Sequence, residues 1–254
     1  MSQYHPKFSS SPIVETLRSS LKNRICLALD EPDVVRARSL LLAIGDMVGM
    51  IKVGPVLFMR SGMRFLEEIS DRGIPLFLDL KWHDIPNTVF GAISGLSLPT
   101  LRLLTVHAQG GEAMIRAARE ASDSLPGVSP LVLAVTLLTH LDDRELGRLG
   151  VSDRGAGVLG LGSLALESGA HGLVMAPGDL SSARNRFGGA PYLVTPGIRW
   201  EEGSVSGGGR KDDQVLAGSP KEALLGGSDL LVIGRPFLKS QDPKRLLEDL
   251  LSSV

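Results

Sequence analysis

Short apolar runs recur along the chain from Ile25 onward, each closed by a glycine, a proline or a charged residue. They run from Ile25 to Asp30, Gly49 to Gly54, Ile74 to Leu78, Leu103 to His107, Leu131 to Thr139, Gly172 to Ala176, Tyr192 to Thr195 and Asp229 to Ile233. Continuous apolar runs of this length, without strict alternation, mark strands buried on both faces, as parallel strands with helices packed on them are. The intervening stretches carry helix signals. Pro32-Asp33 opens one that runs to Ile44, a second covers Val56 to Asp71 and is ended by Gly73, and others cover Asn87 to Ser97 and Gly111 to Ala121. A short helix follows Pro177-Gly178, and a last one runs from Asp242 to Leu250. Residues 1–10 read as a loose tail and 11–22 as a short extra helix, started by Ser11-Pro12, that covers one end of the fold.

Strand and helix in regular alternation, eight times over, predict a single α/β domain spanning 1–254, a (β/α)8 TIM barrel. An open doubly wound sheet would ask for Gly-x-Gly-x-x-Gly after the first strand, where the chain instead has Asp30-Glu-Pro-Asp33. In such a barrel the reactive groups gather at the C-terminal ends of the strands, and here those ends carry Asp30, Lys52, Asp79, Lys81, His107, Thr139, Arg199 and Arg235.

The densest chemistry lies in Asp79-Leu-Lys-Trp-His-Asp-Ile-Pro-Asn-Thr88. Side chains two apart on a strand share a face, so Asp79 and Lys81 are expected to form a pair. Pro86 forbids simple continuation of the strand, so the chain turns, and Asp84 is expected to fold back toward the lysine. The expected order is carboxylate, ammonium, carboxylate. An ammonium flanked in this way is a poor Schiff-base nucleophile but a good proton donor and a good partner for developing negative charge.

Arg199 after the seventh strand, with Gly234 and Arg235 after the eighth, point to a phosphate monoester, because barrels hold phosphate with these loops through backbone N–H groups and forked guanidinium groups. The stretch Gly203 to Gln214 between them is long and glycine-rich, and is expected to form a lid in which Gln214 donates to a phosphate oxygen.

Composition narrows the field further. With 27 basic and 28 acidic residues the net charge is −1, which leaves no electrostatic footprint for nucleic acid or an anionic membrane. No apolar run reaches the ~18 residues of a membrane span. Cys26 is alone, so neither a disulfide nor a cysteine-based zinc cage is expected within the chain, and a cytoplasmic setting is. His83, His107 and His140 come from different strand ends without metal-ligand spacing, and no Gly-x-Ser-x-Gly elbow is present. The expectation is therefore no metal and no cofactor.

Asp-x-Lys-x-x-Asp-Ile-Pro-Asn-Thr, from Asp79 to Thr88, resembles the signature of the orotidine 5′-phosphate decarboxylase family, and the similarity runs from about Ile25 to the C-terminus. The resemblance implies conversion of orotidine 5′-phosphate (OMP) to UMP and CO2 without a cofactor. It implies Lys81 as proton donor to the C6 carbanion, flanked by Asp79 and Asp84, with Lys52 completing an alternating array and, with Asp30, meeting the ribose hydroxyls. Thr139 and Gln214 match ligand-contacting positions, and Arg199, Gly234 and Arg235 match the phosphate grip. It further implies a homodimer in which the segment with Asp84, Ile85 and Thr88 completes the neighbour's site. One departure stands out. His140 occupies a position that is usually serine in the family and bonds the pyrimidine amide edge, so the same substrate with altered affinity is expected. A sister class with the same barrel acts on sugar phosphates and needs Mg²⁺ held partly by a glutamate on the second strand, where this chain has Lys52, and a third reading is a nucleotide-binding barrel without catalysis.

Overall fold

A computed structural model of the chain describes residues 12–200 and 217–253. Eight parallel strands close a barrel in chain order: β1 (Ile25–Ala28), β2 (Met50–Val53), β3 (Leu76–Trp82), β4 (Leu101–His107), β5 (Leu131–Val135), β6 (Gly172–Val174), β7 (Tyr192–Thr195) and β8 (Leu230–Ile233), with β8 pairing back onto β1. The predicted (β/α)8 TIM barrel is the observed fold. Around it lie α1 (Pro12–Arg18), α2 (Val34–Ile44), α3 (Pro55–Ser61), α4 (Met63–Asp71), α5 (Pro86–Ser94) and α6 (Gly111–Asp123). The second half adds α7 (Asp143–Arg148), α8 (Arg154–Glu167), α9 (Leu180–Phe187), α10 (Pro220–Leu225), α11 (Arg235–Lys239) and α12 (Pro243–Ser253).

Local chemistry explains the boundaries. The Asp33 carboxylate accepts from Val35 N and Arg36 N and starts α2. Capping boxes from Asp142 with Glu145 and from Ser219 with Glu222 start α7 and α10. The helix expected from Val56 to Asp71 is broken at Gly62, whose φ of 60° needs a residue without Cβ, and becomes α3 and α4. The fifth strand stops at Val135, four residues short of the expectation. There Thr136 turns both its N–H and its hydroxyl toward the Val174 carbonyl. The glycine-rich stretch after Arg154 is helical, and two of its glycines serve close packing: a Cβ on Gly157 would lie 2.8 Å from a Val151 carbon, and one on Gly162 would lie 3.0 Å from Leu173 and Phe187 carbons.

The strand period of two separates two cores. Leu27, Ile51, Leu78, Leu104 and Val132 point outward and pack against the helices. Cys26, Met50, Phe77, Leu103, Leu133, Tyr192 and Val232 point inward and fill the barrel, and Val14 and Leu17 of α1 pack onto that inner layer. The barrel is therefore a filled core, open to chemistry only where inward positions turn polar.

Candidate active site

Three strands make that change at the next inward position. Lys52 follows Met50, Asp79 follows Phe77 and Thr105 follows Leu103, each two residues further toward the C-terminal end. Lys52 and Asp79 are only 6% and 7% exposed. Lys52 Nζ lies 3.1 Å from Asp30 Oδ1 and 3.1 Å from Asp79 Oδ2, and Lys81 Nζ lies 2.8 Å from the same Asp79 oxygen. The row is carboxylate, ammonium, carboxylate, ammonium. Gly54 makes room for its first pair, since a Cβ there would be 2.8 Å from Asp30 Oδ1 and 3.2 Å from Lys52 Nζ.

Burial opposes charge on the two inner members, and their neighbours overcome it. For Lys52, burial disfavours the ammonium, yet Asp79 and Asp30 together hold its pKa above the ordinary lysine value. For Asp79, burial pushes upward, while Lys52, Lys81 and the Thr105 hydroxyl bring the pKa below the ordinary carboxylate value. Desolvating such ions costs several kcal/mol each. Charges kept buried at that cost beside a cavity are the mark of a functional site.

Lys81 joins the row by an irregular path. Leu78 pairs with Leu104, and the next pair is Trp82 with Val106, so β3 carries a bulge and Asp79, Leu80 and Lys81 face Thr105 alone. Lys81 takes φ 52°, the one positive φ outside glycine among the described residues. The expected pair forms, but not through plain strand alternation.

A cavity of about 720 Å³ opens at this end. Asp30, Lys52, Asp79, Lys81, Thr139, His140, Arg199, Gly234 and Arg235 all line it, together with Leu138, Met175, Ile198 and Trp200. Arg199 follows β7, and its N–H donates to the Gly218 carbonyl at 3.0 Å. Gly234 and Arg235 follow β8 and open α11, where the sequence reading expected only a loop.

Asp84 does not fold back. Its Oδ1 accepts from Ile85 N at 2.7 Å, the side chain is exposed, and among the described residues it makes no ion pair with Lys81. The physical reason is local: Pro86 begins α5, and the preceding carboxylate binds the nearest free N–H. Ile85 and Thr88 are exposed as well, and neither lines this chain's cavity. Gln214 and the glycine-rich stretch around it lie outside the described residues. The His83 and His107 rings are 5.4 Å apart between centroids, and burial, then the charges of His83 and Lys81, hold the His107 pKa below the ordinary value.

Thr105 was missed in the sequence because Leu103-Leu-Thr-Val-His107 reads as an apolar strand. The available signal was its parity with Leu103, which puts it on the inward face beside Asp79.

Residues 23–250 match the family model described as "Orotidine 5'-phosphate decarboxylase / HUMPS family". A protein of Anaeromyxobacter dehalogenans named orotidine 5'-phosphate decarboxylase is 42% identical over 221 residues, covering 87% of this chain and 93% of its own. One of that name from Ehrlichia chaffeensis is 39% identical over 235 residues, covering 91% and 97%. The crystal structure of orotidine 5'-phosphate decarboxylase from Lactobacillus acidophilus superposes with a TM-score of 0.75 at 32% identity, covering 90% of this chain and 97% of its own. A barrel closed in chain order, a buried row of alternating charges at its C-terminal end and these similarities agree: the chain belongs to the orotidine 5'-phosphate decarboxylase / HUMPS family.

Proposed function

We propose that the chain decarboxylates OMP to UMP and CO2 in pyrimidine biosynthesis, using its own charged side chains in place of a cofactor. The observation that carries this reading is the row Asp30, Lys52, Asp79, Lys81, held at 2.8 to 3.1 Å on the wall of the cavity. In the reaction the bond from C6 to the carboxylate breaks, CO2 leaves and the electron pair stays on C6. The Lys81 ammonium then gives a proton to C6 and is reprotonated from solvent. Its charge is already positioned beside Asp79, so stabilising the developing carbanion needs no reorganisation at the moment of reaction. Asp79 adds repulsion toward the substrate carboxylate, which disappears as CO2 departs.

The remaining assignments follow the cavity wall. Asp30 and Lys52 meet the ribose hydroxyls, Thr139 and His140 the base, and Arg199, Gly234 and Arg235 the phosphate. Gln214, outside the described residues, is a further phosphate donor in this reading, on the family resemblance alone. Binding the phosphate away from the reacting carbon orients the ring over Lys81. The sugar-phosphate reading calls for a metal ligand on the second strand. Lys52 is there instead, its ammonium set between two carboxylates where a cation would sit.

The active unit is a homodimer in this reading. Asp84, Ile85 and Thr88 stand outside their own cavity, and Ile85 and Met59, 66% and 79% exposed, offer apolar surface on the segments that follow β3 and β2. A second copy packed isologously there receives Asp84 beside its Lys81 and returns its own. Among the described residues no helix is long and apolar enough to cross a membrane. We place the enzyme in the cytoplasm, where the single buried Cys26 stays reduced.

The test is loss of OMP absorbance with and without EDTA. Turnover indifferent to EDTA is expected. Turnover abolished by EDTA returns the metal-dependent reading, and UMP binding without turnover returns the non-catalytic one.

A further inference from the structure

We propose that Thr105 is a positioning residue for the reaction, its hydroxyl fixing the Lys81 backbone and the Asp79 carboxylate in one relay. Thr105 is fully buried on β4, opposite the bulge in which Asp79, Leu80 and Lys81 share one partner residue. A bulge takes backbone groups out of the ladder, and a buried N–H left there would be unsatisfied. The Lys81 N–H is instead taken up by Thr105 Oγ1 at 3.0 Å, and the same hydroxyl donates to Asp79 Oδ1 at 2.9 Å.

The direction of the relay is set by chemistry. An ionised carboxylate only accepts, so the hydroxyl proton points at Asp79 and the oxygen lone pairs are left for the Lys81 N–H. Two consequences follow. Asp79 Oδ1 is occupied, which leaves Oδ2 as the oxygen that meets both Lys52 Nζ and Lys81 Nζ. The Lys81 backbone is held at φ 52°, a conformation strained for a non-glycine residue that persists only where its surroundings over-determine it. In that conformation Lys81 Nζ lies 2.8 Å from Asp79 Oδ2. Thr105 itself does not line the cavity, so it acts through these two residues and not on the substrate.

The kinetic arm of the test rests on the decarboxylase reading, and the structural arm does not. Thr105→Val keeps the shape and removes the hydroxyl, while Thr105→Ser keeps the hydroxyl. With Thr105→Val, kcat should fall about 10- to 100-fold, as for one buried hydrogen-bonding group left unpaired, with UMP affinity within about twofold of wild type. Thr105→Ser should keep kcat within about threefold of wild type. In crystal structures, Thr105→Val should show Lys81 out of the positive-φ region or its contact with Asp79 broken, and Thr105→Ser should show neither. The proposal is overturned if Thr105→Val keeps kcat within threefold, if serine fails to restore it, or if kcat and UMP affinity fall together. It is also overturned if the Thr105→Val structure leaves Lys81 φ and the Asp79 contact in place. Should wild-type protein leave OMP unchanged, the decarboxylase reading fails and the crystal structures still decide the role of Thr105.

Discussion

Two carboxylates, Asp79 and Asp229, are each 7% exposed and sit at opposite ends of the same barrel, and their surroundings could hardly differ more. Asp229 precedes β8, at the end where strands begin. Its Oδ1 accepts from Arg18 Nε at 2.9 Å, and its Oδ2 from Arg18 Nη2 at 3.0 Å, Arg184 Nη2 at 2.6 Å and Leu193 N at 2.7 Å. The arginines spend their other N–H groups on the Gly189, Pro191, Gly188 and Gly227 carbonyls. This cluster is a closed clamp joining α1, α9, β7 and β8. Asp79 instead meets compact ammonium groups: Lys52 Nζ reaches both Asp30 oxygens as well, while Lys81 Nζ, which carries three donors, meets only the one Asp79 oxygen among the described residues and faces the cavity. The lesson is that burial of charge does not by itself distinguish a clamp from a reactive site. Unfilled hydrogen-bonding capacity facing a cavity does.

The comparison is tested most strongly by removing one charge at each end. Lys81→Ala should lower kcat by several orders of magnitude while the unfolding free energy from urea titration stays within about 1 kcal/mol of wild type, because Asp79 keeps Lys52 and Thr105. Retention of more than about a tenth of the activity, a loss of only about 1.4 kcal/mol, is incompatible with Lys81 as proton donor. Asp229→Ala should do the reverse. Two arginines are left without their carboxylate, stability should fall by about 3–5 kcal/mol in urea unfolding, and kcat of the folded fraction should be unchanged. A stable Asp229→Ala protein with impaired kcat would reverse the roles of the two ends.

A smaller effect belongs to the same lower end. His171 Nδ1 accepts from Val132 N at 3.0 Å, so the native state needs that nitrogen unprotonated. Burial, with the nearby Arg119 charge, lowers its pKa from 6.5 to about 4. Below pH 6.5 the unfolded chain binds a proton that the native chain refuses, so stability declines as pH falls from about 6.5 to about 4, by at most about 3 kcal/mol. His171→Asn keeps an acceptor without the titration, and the difference between the two proteins in unfolding free energy should shrink or reverse across that window. Parallel pH curves for the two proteins would remove His171 from the account of acid sensitivity.

Much of this is legible in the amino-acid sequence. Continuous apolar runs revealed eight buried strands, and β7 was found with its observed bounds, Tyr192–Thr195. The first and fifth strands are shorter than expected: β1 ends at Ala28, although Leu29 N still donates to Lys52 O, and β5 ends at Val135, although Leu137 and Leu138 extend the apolar sequence. Asp30, Lys52, Asp79, Lys81, Thr139, His140, Arg199, Gly234 and Arg235 are expected by place, since strand ends in a barrel converge on one mouth, and all of them line one cavity. The misses have physical causes. Nothing in Asp-Leu-Lys announces a bulge or a left-handed lysine, which arise from pairing with β4. Thr105 hides in an apolar run, and Asp84 was misplaced because its bond to the adjacent Ile85 N–H won over the reach back to Lys81.

That position of Asp84 makes the central claim, a decarboxylation site built on the open row of charges and finished by a second copy, directly measurable. Lys81→Ala and Asp84→Ala proteins, each nearly inactive alone, are mixed at equal concentration and allowed to exchange subunits, with exchange verified by mass spectrometry. Random association makes about half the dimers mixed, and each mixed dimer has one site with both defects and one with neither. OMP turnover should return to roughly a quarter of the wild-type value if the sites act independently. Verified exchange with no recovered turnover would contradict the claim and assign Asp84 to its own chain or to no site at all.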